Sequence, residues 1–142
     1  KMNKIILIFS ICVFNSSLFA KPIEPYRCIP TTNNKYILFN SKKFPNLDSI
    51  MYYPYLKPIK VKYVKKIAIP TDEGRPYILK QNYIEYIKGK PSGTYVIETQ
   101  GALINGISYK NNKGSTLEFE LNYDMDYEII NNKLKKNNIF CE

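Results

Sequence analysis

The residues able to do chemistry in this chain are few, and their types exclude more than they permit. Histidine is absent from all 142 positions, so neither a Ser-His-Asp triad nor a Cys-His pair can form. The sequence holds no Ser-x-x-Lys, no phosphate-binding glycine loop and no zinc spacing. Of three cysteines, Cys12 lies in an apolar N-terminal run, while Cys28 and Cys141 stand at the two ends of the remaining chain. Without a histidine or a second thiol pair, these two are read as a disulfide, not a metal site. The chain-entropy model values so long a closed loop at ~4.7 kcal/mol, a large share of the about 5–15 kcal/mol that holds a domain together. Carboxylates are available at Glu118 and Glu120, which share a strand face and read as a solvated stripe. The alternating run Asn122, Asp124, Asp126 and Glu128 could meet calcium, but it lacks the glycine and distal glutamate of an EF-hand loop. Side chains two apart on a strand also sit roughly 6.6 Å from each other, so an acidic strand face is the preferred reading. The expectation is a protein that is not an enzyme and needs no metal or cofactor.

Binding chemistry is better represented. Lys57, Lys60, Lys62, Lys65 and Lys66 form a basic stretch, with Tyr52, Tyr53, Tyr55 and Tyr63 beside or within it. Lysine supplies charge and tyrosine supplies flat amphipathic area. The expected binding residues are Tyr52, Tyr53, Tyr55, Lys57, Lys60, Lys62 and Lys66, with the Pro-interrupted tyrosine cluster as the contact loop. A formal net charge of +9 suits an acidic protein partner, an anionic glycan or a lipid surface. The plain alternative is a lysine-studded outer face that blunts edge pairing.

The compartment is read from the start of the chain. Lys1 and Lys4, the apolar run 5–14 and the small-residue region ending at Ala20 have the order of a secretory signal peptide. The expected organisation is a leader over residues 1–20 and one exported domain over residues 21–142, periplasmic in preference to fully secreted. Nucleic acid is excluded as a partner on compartment grounds, and no integral membrane segment is expected after cleavage.

The elements that must position these residues read as mainly β: a small antiparallel β-sandwich or barrel-like meander, its termini tied by Cys28 and Cys141. Strands are expected over 59–69, 83–88, 94–99, 103–110 and 139–141, and over a long alternating run from 117 that bends or ends near Asp124. In 59–69, Ile59, Val61, Tyr63, Ile67 and Ile69 are assigned to one face and Lys60, Lys62 and Lys66 to the other, with Lys65 marking a bulge. Turns are expected at 71–74, at Gln81-Asn82, at Lys90-Pro91-Ser92-Gly93 and at 111–114. Residues 41–58 read as a long loop or irregular edge. Residues 126–138 fit either a short helix with Ile130 and Leu134 on one side or a hairpin turning at Asn131-Asn132.

Tyr26-Arg27-Cys28, Ser92-Gly93-Thr94-Tyr95, Gly101-Ala102 and the terminal Cys141 are faintly similar to the motifs of the small periplasmic β-barrel inhibitors of c-type lysozyme. The Ser-Gly to Tyr spacing is one residue shorter than in those proteins, and their Trp-x-Lys-Gly stretch is absent. The resemblance implies that Ser92 is offered to an enzyme cleft; the residues alone read as a hairpin turn. The functional expectation is an immunity protein or inhibitor that occludes a toxin or cell-wall hydrolase, or alternatively a basic envelope protein that holds an anionic glycan or lipid.

Overall fold

The computed structural model describes residues 23–142 apart from Asn33 and Met125; the leader expected over residues 1–20 lies outside the described residues. The fold is mainly β. Eight strands succeed one another as an antiparallel meander: β1 (Glu24–Thr31), β2 (Lys35–Asn40), β3 (Ser49–Tyr53), β4 (Ile59–Ile69), β5 (Ile78–Ile87), β6 (Lys90–Gln100), β7 (Leu103–Asn111) and β8 (Thr116–Glu118). A short helix α1 (Tyr127–Leu134) leads to β9 (Ile139–Cys141), which pairs parallel to β1. Beyond β8 the chain returns to β1, where Leu121 bridges Thr31 and the Asn122 N–H donates to the Pro30 carbonyl at 3.0 Å. The meander is therefore rolled until its first strand meets the chain leaving its last.

Two apolar clusters explain the local sequence. Ile29, Ile37, Phe39, Ile50, Val61, Tyr83, Tyr95, Ile97 and Ile107 fill the inside of the roll. Cys28, Tyr36, Leu38 and Met51 point the other way, under Ile130 and Leu134 of α1. Both faces of β2 are thus covered, which is why Tyr36-Ile37-Leu38-Phe39 shows no alternation. β5 and β6 bury one face only, and their buried positions alternate. Asp126 caps α1, its carboxylate accepting from the Glu128 N–H at 2.8 Å. Asn131 then fastens the helix to β9 by exchanging two hydrogen bonds with the Cys141 backbone, at 2.6 and 3.2 Å. Cys28 and Cys141 form the disulfide, closing a separation of 113 residues.

Several boundaries differ from the sequence reading. The alternating run from 117 is a strand only to Glu118, then the Leu121 bridge, then helix from Tyr127. Of the two options for 126–138 the helix is present, with Ile130 and Leu134 fully buried. The stretch 41–58 contains β3, because Ile50 and Met51 have opposite buried faces to fill. Gln81-Asn82 lies within β5, and Pro91-Ser92-Gly93 within β6; the intervening turn is Lys88-Gly89, with Gly89 at φ 77°. Gln81 is held in strand by the cross-strand register, not by its own propensity.

Candidate site at the lysine-rimmed end of the barrel

Alternate connections of an antiparallel meander fall at the same end. The β1–β2, β3–β4, β5–β6 and β7–β8 connections therefore share one end, and they and their first flanking residues carry Lys35, Lys57, Lys88, Lys90 and Lys113 with no Asp or Glu. The strand connections at the other end are of mixed charge, with Asp48, Asp72 and Glu73 beside Lys42, Lys43 and Arg75, while Asp124 and Asp126, past β8, lie beside Thr31, Thr32 and Asn34 of the β1–β2 turn. Between the β1–β2 turn, the β3–β4 loop and β8, the lysine-bearing end opens into a cavity of about 580 Å³. Tyr52, Tyr53, Tyr55, Ile59, Leu117 and Phe119 give it apolar walls. Lys35 and Lys57 stand at one side of it, Glu118 and Glu120 at the other. Tyr55 is 77 % exposed, whereas Tyr52 packs its ring against Phe119 with centroids 6.1 Å apart.

Behind Tyr52 lies a group that the sequence reading does not single out. Glu85 projects inward from β5 and is only 5 % exposed. Among the described residues it has no cation partner. Three hydroxyls serve its carboxylate instead: Ser92 Oγ donates to Oε2 at 2.5 Å, Tyr109 to Oε2 at 2.6 Å and Tyr95 to Oε1 at 3.3 Å. The Tyr52 hydroxyl donates to that of Tyr95 at 2.9 Å, so a relay runs from the cavity wall to the buried carboxylate. Gln81, two inward positions earlier on β5, is equally buried but its Oε1 receives no described donor. The contrast marks the Glu85 cluster as a completed polar network, of the kind that fixes a core geometry.

Local geometry assembles this network. Glu85 faces Gly93 and Tyr86 faces Pro91, so Ser92 is the extra residue of a bulge that swings its hydroxyl toward the carboxylate. A Cβ on Gly93 would lie 2.3 Å from the Tyr109 hydroxyl; the glycine is there to let the tyrosine cross over it. Burial raises the affinity of Tyr95 and Tyr52 for their protons. Tyr109 is pushed up to about 12 by burial and then by its hydrogen bond to Glu85. All three hydroxyls thus remain donors at any physiological pH. Through Tyr95 the cluster orients the Tyr52 hydroxyl at the cavity wall.

The structure brings together Tyr52, Tyr53, Tyr55 and Lys57, which line the cavity. It does not gather the other expected lysines there. Lys60 and Lys62 project from the outer face of β4, opposite in sense to buried Val61. A register shift between Tyr63 and Lys65 makes Val64 the extra residue and inverts the faces beyond it. Lys66 therefore pairs with inward-facing Gln81, and Ile67 and Ile69 are exposed on the outer side at 43 % and 37 %. The acidic residues 124 and 126 line a polar cleft of about 930 Å³ that adjoins the cavity, sharing Thr31, Thr32 and Glu120 with it, and among the described residues no three His, Cys, Asp or Glu side chains cluster closely enough for a metal. No described helix is long and apolar enough to cross a membrane. Ser92, which the lysozyme-inhibitor resemblance offers to a partner, has its hydroxyl on Glu85. Comparison with family models, curated proteins and solved structures gives no match.

Proposed function

We propose that this chain is an exported, non-enzymatic binding protein that occludes an acidic protein partner, as an immunity protein or inhibitor of a toxin or cell-wall hydrolase. The observation that carries the reading is the lysine-rich end at which an aromatic cavity opens: its four strand connections carry five lysines and no carboxylate, and two of these lysines line the cavity opposite Glu118 and Glu120 of the β8 segment. The lysines would steer an acidic surface onto this end, and an apolar side chain of the partner would seat between Tyr52, Tyr55 and Phe119 as the anchor of the interface. The Glu85 relay supports it by fixing Tyr52, so that less freedom is lost on docking.

The size and apolar walls of the cavity also suit a second reading, an envelope protein holding the chain of an anionic lipid or an anionic glycan, since pockets of roughly 300–1,000 Å³ take small ligands. One experiment separates them. The tagged domain is exported in its native host and recovered at moderate salt as three forms: unchanged, with Lys57, Lys88 and Lys90 all replaced by Glu, and with Lys42, Lys43 and Arg75, at the other end, replaced by Glu. A stoichiometric protein retained by the first and third forms and lost from the second is the expected result. Equal retention by all three refutes the assignment to this end. Recovery of lipid or glycan in place of protein, released as salt rises, replaces the first reading by the second.

A further inference from the structure

A second surface lies away from the cavity, on the edge of β4. β3 and β4 are staggered, and they pair only at Ser49 with Lys60 and Ile50 with Ile59. The Val61 N–H still reaches the Asp48 carbonyl at 3.0 Å. Beyond it, residues 62–69 meet β5 on one side and no described backbone group on the other. That is about 25 Å of strand with an open hydrogen-bonding edge. Backbone groups alternate in direction, and the bulge at Val64 resets the alternation. Lys66 and Ala68, on the same face as Val61, therefore aim their N–H and C=O at the open side. Tyr63 still packs on Tyr83, but from Val64 to Ile69 the side chains are exposed on both faces, Val64 by 49 %, Ile67 by 43 % and Ile69 by 37 %.

We infer that this edge receives an extended acidic segment of a protein partner, added as an extra antiparallel or parallel strand beside β4. An unpaired edge of this length is a template for strand addition. The charge selects the occupant. β4 carries Lys60, Lys62, Lys65 and Lys66 and no acid, and among the described residues none of these lysines is in an ion pair. A second copy of the chain is a poorer occupant, because a two-fold antiparallel pairing about the middle of this edge sets Lys65 or Lys66 against its own copy, and like charges directly opposite are destabilising; registers that avoid this clash pair only the last few residues of the edge. The same lysines that reject the chain's own edge accept glutamates or aspartates at alternate positions, while Val64, Ile67 and Ile69 offer apolar contacts between them. The cavity takes no part in this contact.

The probe is a synthetic octapeptide of alternating Glu and Val, titrated into the oxidised domain by fluorescence anisotropy. Three peptide controls accompany it: the same peptide N-methylated at alternate residues, so that one edge cannot donate, a Lys/Val counterpart, and a clustered isomer of equal charge. The alternating acidic peptide is expected to bind, and the other three to bind at least about tenfold more weakly. Ala68→Pro, which removes an N–H aimed at the open side, and the double change Lys65→Glu with Lys66→Glu should each weaken it by a similar factor. The charge-reversed pair tests the edge even where the proline variant does not fold. The Lys57, Lys88, Lys90 triple Glu variant should bind the peptide as the unchanged domain does, whatever becomes of the cavity's partner. Undiminished binding of the N-methylated or clustered peptide would reduce the interaction to bulk charge and overturn strand addition. So would full affinity after the Lys65 and Lys66 reversals, or a concentration-dependent dimer abolished by Ala68→Pro.

Discussion

Gly93→Ala is the sharpest probe of how the polar cluster is built. The position is ordinary strand backbone and Gly93 is buried opposite Glu85, so nothing in the main chain demands a glycine. What demands it is Tyr109, whose hydroxyl and two ring carbons would stand 2.3, 2.5 and 2.6 Å from the added methyl. The ring is rigid, so relief requires the whole side chain to swing away, and its 2.6 Å hydrogen bond to Glu85 is lost. A hydrogen bond to a charged group is worth about 1.5–3 kcal/mol, and forcing a methyl into a filled site adds about 1–3 kcal/mol. Restricting the unfolded chain returns about 0.4–1 kcal/mol. The net expectation is a loss of about 3 kcal/mol, read as a lower urea midpoint at unchanged slope by tyrosine fluorescence, the chain having no tryptophan. The decisive comparison is the same substitution in a Tyr109→Ala background, where the methyl meets open space and should be neutral or slightly stabilising. A Gly93→Ala penalty that is equal in both backgrounds, or absent in the first, refutes the argument that the glycine exists to admit Tyr109.

Two further outcomes are expected from the buried phenols and the disulfide. In the unfolded chain Tyr83 and Tyr95 ionise near 10, while burial holds both well above that in the fold. Their contribution is therefore complete below pH 10 and is lost as pH rises past it, at roughly 3 kcal/mol per pH unit for the two together. Tyrosinate absorbance should appear in a cooperative step together with loss of β signal; smooth ionisation of all tyrosines near 10 with the fold intact would contradict it. Replacing Cys28 and Cys141 by Ser opens the 113-residue separation and should cost about 4–5 kcal/mol on the chain-entropy account. Hydrogen exchange should then show β9 and α1 released first, and an unchanged urea midpoint would place the tie between the ends in the packing of Ile130 and Leu134 instead.

How much of the fold is legible in the sequence is best judged at the three register shifts, at Tyr63/Lys65, Glu85/Tyr86 and Glu98/Thr99. Up to each one, period-two reading works. Val61 and Tyr63 do share the inner face, and in the strand expected over 94–99 the buried positions Tyr95 and Ile97 alternate with half-buried Thr94 and Val96. Past each one, an extra residue on one strand inverts the pattern. Val64 puts Ile67 on the outer face and exposed Lys66 on the face of Val61. Ser92 turns an apparent hairpin turn into a strand that reaches Glu85. Asn105 leaves Leu103 at 69 % exposure and buries Ile104 in its place. The termini are readable because the cysteines and the Ile130/Leu134 spacing are local or unique signals. β1 and β2 escape a period-two reading, because they are buried on two faces and show no alternation to read.

Glu85 is invisible in the sequence for a related reason. A lone glutamate between tyrosines reads as a solvent-facing position, since burying an unpaired carboxylate is costly. It is buried because three hydroxyls, from residues 92, 95 and 109, converge on it from two other strands. The single trace in the sequence is Gly93, a glycine within a β pattern, which signals close approach of another group. The bulge at Ser92 and the space at Gly93 are thus two halves of one device, and the cavity inherits its geometry through Tyr95 and Tyr52. On β4 the stagger against β3 leaves the edge open from residue 62, and the bulge at Val64 resets which residues aim their backbone groups at it. Both candidate surfaces therefore depend on departures from regular pairing, which is where a regular sheet would otherwise have had nothing to offer a partner.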